Sequence, residues 1–188
     1  MNWQEKLHIL IGAYKQGHIL VRDYFSFEVP PKRQDVDSKL DSLAEKLELE
    51  PNDAGTLQPL RDFYGITDGM VVAAGLMVFG LVSNRFETLE DVNRTSLGLV
   101  RDRVAIDFPE LTTTISMIFG SDEAGDFLCL SRDGEVIWIG NDARDFVVIA
   151  NSLDIFFNDF CFGSGFMRHY HLNADDPWVS ILRDFGFL

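Results

Sequence analysis

The sequence predicts an α+β fold in which an antiparallel meander runs into a helix. Between Thr114 and Phe162, the short apolar runs Ile115–Phe119, Phe127–Leu130 and Val136–Ile139 are separated by the polar segments GSDEAGD and SRDGE. Runs of this length, rich in β-branched and aromatic residues and punctuated by Gly and Asp, are strand signals. Asp133–Gly134 sits between the second and third runs. A tight hairpin turn needs positive φ, and glycine supplies it without a Cβ clash. A fourth run, Phe146–Ala150, is followed by Ser152, a residue type suited to an N-cap; Leu153, Phe156, Phe157 and Phe160 then recur at helical spacing.

The elements before the meander follow the same logic. Trp3, Leu7, Leu10, Ile11 and Tyr14 mark one face of a helix over residues 2–16, with Asn2 as its cap and Gly17 as its stop. His18 to Val29 is rich in β-branched and aromatic residues and reads as an irregular strand or a short helix, ended by Pro30–Pro31. Val36, Leu40, Leu43, Ala44 and Leu47 give a second amphipathic helix from Asp35 to Leu49. A turn over Pro51–Gly55 leads to a short helix marked by Leu57, Leu60, Phe63 and Tyr64 and closed by Gly65. Asp68–Gly69 then turns the chain into Met70–Val82, an apolar run whose two glycines make it a buried strand pair or a strand and turn. Phe86 to Arg103 reads as a helical insertion with Thr88-x-x-Asp91 at its start, and Asp107–Glu110 as a loop holding Pro109. After the meander, Gly163–Gly165 breaks the helix that follows it. Pro177 opens a last helix carrying Trp178, Ile181, Leu182 and Phe185. With no internal repeat or linker, residues 1–188 are expected to form one domain.

Charge narrows the function classes. The net charge is -14, and it is uneven: residues 1–104 hold 12 Lys+Arg against 16 Asp+Glu, whereas residues 105–188 hold 4 against 14. Phosphate neutralisation needs a basic footprint, so neither nucleic acid nor an anionic membrane is an expected partner. A concentrated acidic field instead steers basic partners and speeds their encounter. Cys129 and Cys161 lie in apolar stretches, with no CxxC and no cysteine framework, which suits free thiols in a reducing cytoplasm. The N-terminus lacks the basic and apolar segments of a signal peptide.

Chemistry-bearing motifs are sparse. His169 and His171, with Asp175 or Asp176, offer a metal-ligand set, but two histidines two residues apart are a weak zinc signal. Asp122, Glu123 and Asp126 miss the spacing of a calcium loop. Gly163-Ser164-Gly165 is too short for a nucleophile elbow, and neither a P-loop nor a dinucleotide fingerprint occurs. No cofactor and no catalytic residue are expected. The acidic residues Asp122, Glu123, Asp126, Asp133, Glu135, Asp142 and Asp145 are, on charge alone, the expected partner-binding set.

Gly120, Asp122, Gly125, Asp126, Gly134 and Val136, followed by the IANSLDIFFNDF helix, resemble the signature region of the SUKH superfamily. Asp68–Gly69 stands where that superfamily turns from a helix into its first strands, and the resemblance covers roughly residues 36–162. The superfamily includes bacterial immunity proteins that neutralise toxins, and fungal cell-wall regulators. The resemblance implies a curved antiparallel sheet ringed by helices, no catalysis, and a cytoplasmic protein that binds and blocks a cognate toxin. An acidic surface would suit a basic toxin domain such as a nuclease. The competing expectations are a small metal-dependent hydrolase built on His169 and His171, and a regulatory interaction scaffold.

Overall fold

The computed structural model describes residues 1–49, 56–73, 75–82, 88–141 and 145–188. It is an α+β structure organised on one open, curved antiparallel sheet. Strands β1 (Phe25–Phe27), β2 (Met70–Val72), β3 (Leu76–Val78), β4 (Ile115–Ser121), β5 (Phe127–Ser131), β6 (Val136–Ile139) and β7 (Phe146–Ala150) lie in chain order, each antiparallel to the next. The meander expected over the second half therefore extends through the whole sheet. Register shifts within the β4–β5 and β6–β7 pairs mark bulges, which bend the strands.

The hairpin at Asp133–Gly134 joins β5 to β6, with Gly134 at φ 88°. Gly120 has a different reason to be glycine. A Cβ there would collide with the Met77 carbonyl oxygen, because β3 and β4 pair closely at Val78 and Gly120.

Helices α1 (Trp3–Lys15), α2 (Ile19–Tyr24), α3 (Arg33–Lys46) and α4 (Gln58–Tyr64) precede or interleave the first strands. Asn2 caps α1 in a capping box with Glu5. The ambiguous stretch after Gly17 resolves into both alternatives: His18 caps α2, and the chain then enters β1, which pairs with β2. The Pro51–Gly55 turn and the Phe86 end of the insertion lie outside the described residues.

The insertion itself has a structural task. Thr88 caps α5 (Leu89–Val92), as its spacing from Asp91 predicts. A π-helical segment, Asn93–Leu97, then passes into α6 (Gly98–Asp107). The buried Asn93 side chain donates to the Ile118 carbonyl at 2.7 Å and accepts from the Ile118 N–H at 2.8 Å. The Arg101 guanidinium donates to the Ile115 and Ser116 carbonyls. Strand β3 ends at Val78, so these two side chains take over part of the pairing that a longer strand would give β4. Buried backbone groups must find such partners. Pro109 does not sit in a loop, as expected from its surroundings, but opens α7 (Pro109–Thr114), where a missing N–H costs nothing.

After β7, Ser152 caps α8 (Leu153–Ile155), which continues into a second π-helical segment, Phe156–Cys161. This segment lies in the core, with Phe156, Phe157, Phe160 and Cys161 buried. Trp3 and Phe63 both pack on Phe157, while Phe119 packs on Phe156. Buried Lys6 fastens α1 to the same segment by donating to the Asn158 and Phe162 carbonyls at 3.0 and 2.9 Å. Helices α9 (Ser164–His169) and α10 (Pro177–Asp184) complete the chain, the latter capped by Asp176. Among the described residues, no helix is long and apolar enough to cross a membrane.

Candidate functional site

The turn between β4 and β5 is built around Asp122. One carboxylate oxygen, Oδ1, accepts from the Ala124 and Asp126 N–H groups at 2.9 and 3.0 Å. The other, Oδ2, accepts from the Tyr170 hydroxyl at 2.9 Å and from the Trp138 indole N–H at 3.3 Å. Asp122 is 9% exposed, so it is an internal anchor that ties the turn to β6 and to the chain after α9. Asp122 belongs to the expected partner-binding set, yet four donors use its oxygens and little of it reaches solvent. Burial and the Asp122 hydrogen bond push the Tyr170 phenol well above its usual pKa.

Asn141, just past the end of β6, is locked to this turn. Asp126 Oδ1 accepts from the Asn141 N–H at 2.8 Å, and the Asn141 side-chain amide donates to the Ala124 carbonyl at 2.9 Å. Arg103 on α6 donates to the Asn141 carbonyl at 2.9 Å. The β4–β5 turn is thus braced by the end of β6; Glu123 and Asp145 are exposed at this end of the sheet, and Asp126 is half-buried. Asp142 falls outside the described residues.

Asp133 and Glu135 are not part of that surface. They follow the opposite end of β5, across a five-residue strand that spans about 15 Å. There Asp133 shares a shallow cleft with Asn151, Ser152 and Asp154. The expected acidic face is thus two acidic ends of one sheet. Nothing in the sequence pointed to Asp154, which also accepts from the Trp3 indole at 2.7 Å. Nor did it flag Trp138 and Tyr170, which lie 16 and 48 residues from Asp122.

His169 packs edge-on against Trp138, Phe160 and Tyr170. Burial holds its imidazole below the usual value, opposed by the Asp122 and Asp126 charges. His171 is exposed, on backbone with φ 52°. Among the described residues, no three His, Cys, Asp or Glu side chains are grouped to hold a metal ion. Cys129 and Cys161 are both buried, and burial raises both thiols above the ordinary range, the opposite of what an activated nucleophile requires. No protein-family model, curated protein or solved structure matches this chain.

Proposed function

We propose that the protein is a non-catalytic immunity-type protein that binds and neutralises a basic toxin domain through its acidic surface. The observation that carries this reading is the braced β4–β5 turn, to which the end of β6 is bonded. Glu123 stands exposed on the turn held by Asp122, and Asp145 stands exposed where its carbonyl accepts from the Gly140 N–H. A charged surface that is already ordered loses little conformational freedom on binding. The charge excess of residues 105–188 adds a long-range field of the same sign, which speeds capture of a cationic partner. The resemblance of residues 36–162 to the SUKH superfamily points to the same kind of function. A cytoplasmic location follows from that function, since an immunity protein guards the cell that makes the toxin.

The test is to co-express the chain with the C-terminal domain of a large secreted protein encoded beside it. A stable complex that abolishes the domain's toxicity is the expected result. A toxin-like neighbour that neither binds nor is silenced would overturn the reading.

A further inference from the structure

The two acidic ends of the sheet are joined by an open apolar edge. β7 is the last strand of an unclosed sheet, and among the described residues it has a strand partner, β6, on one side only. Val147 and Val148 are 41% and 40% exposed. The edge carries no Lys and no Pro, the residues that usually discourage a second strand from adding. Asp145 precedes β7, while Asp133 and Asp154 share the cleft beyond its other end. A short groove of about 260 Å³ runs beside it, lined by Val147, Ile149, Phe160 and His169, and by Arg168, which is bonded to the Ser164 hydroxyl.

Resting on the reading of a basic partner, we propose that β7 receives an extended segment of that partner as an eighth strand. The segment has apolar or β-branched residues in its middle and Lys or Arg at both ends. Charge selects this occupant over a second copy of the chain. Two-fold antiparallel pairing of β7 with itself would set Asp145 of one copy near the Asp154 end of the other, on chains that each carry -14. A segment with cations at both ends meets an acidic group at each end of the strand, across a span of about 15 Å.

The backbone supplies the remaining specificity. The Gly140 N–H donates to the Asp145 carbonyl at 3.1 Å. Antiparallel alternation then turns the Val147 backbone groups toward β6 and those of Phe146 and Val148 outward. Past Val148 the register shifts, leaving Ile149 as a bulge that bends the strand. The usable edge is short, which fits a single docked segment and discourages indefinite sheet growth. Strand addition of this kind takes its affinity from main-chain hydrogen bonds and its selectivity from the side chains.

The probe is a capped synthetic heptapeptide of alternating valine and threonine with lysine at each end, compared with a twin ending in glutamate. Binding is read by fluorescence anisotropy at low salt. The lysine-ended peptide should bind roughly tenfold or more tightly than its twin. Val148→Pro removes one outward N–H without breaking the bond to β6, and should weaken binding about tenfold. Val148→Lys should weaken it similarly by charge, and its thermal melt checks the fold independently. The proposal is overturned if neither peptide binds, if both bind equally, or if both β7 variants bind like wild type. A wild-type dimer that Val148→Pro dissociates would also overturn it, by placing a second copy on the edge. None of these failures touches the acidic-surface reading, which is judged with the toxin domain and the turn residues.

Discussion

Single carboxylates in this chain have opposite roles a residue apart. Asp122 is buried and accepts from four donors, whereas adjacent Glu123 is exposed. Asp122→Ala should cost about 3 kcal/mol or more in chemical denaturation, because it strands buried donors, while Glu123→Lys should stay within about 0.5 kcal/mol. Tyr170→Phe removes one of the four bonds and should cost about 1 kcal/mol; a double-mutant cycle with Asp122 should then show clear coupling. His169 gives a pH signature. Burial depresses its pKa below the ordinary histidine value of about 6.5, so the unfolded chain takes up the proton first as pH falls. Its contribution is complete above about pH 6.5 and is lost as pH falls through the depressed value. Melting temperatures at about pH 7.5 and about pH 5 should therefore drop less for His169→Gln than for wild type. An equal drop would remove His169 from the pH response.

Local elements were legible where local chemistry decides them. Asn2, Thr88 and Ser152 each cap the helix that their position predicts. Gly134 makes the hairpin that Asp133–Gly134 signals. What the sequence hid is set by distant partners. Strand β1 has only three residues and exists because β2 pairs with it. The π-helical turn at Asn93 reaches a strand 25 residues away, and no periodicity encodes that contact. Asn93→Leu should cost about 2–4 kcal/mol by leaving the Ile118 N–H and C=O without this partner. Urea denaturation checks it, and a loss under about 0.5 kcal/mol would show that β4 does not depend on the insertion. The candidate site was legible as a list of acidic residues but not as geometry. Asp and Gly at turns announce the turns, while which side chain points inward depends on Tyr170 and Trp138.

Taken as a whole, the molecule distributes its charge around a sheet that is open along β7. Glu123 and Asp145 stand exposed at one end of that sheet, and Asp133 and Asp154 share the cleft at the other. Charge reversal of exposed groups should change how fast a basic partner arrives more than how stable the fold is. Glu123→Lys with Asp145→Lys is the suitable pair, since Asp122 and Asp126 hold the backbone and are left intact.

The decisive measurement is the association rate of the proposed partner, a toxin domain encoded beside the chain, with wild type and with this double variant, by stopped flow at low and at high salt. The account predicts that the variant associates about tenfold more slowly at low salt, and that the difference shrinks as salt screens the field. Equal association rates for the two proteins at low salt would contradict it.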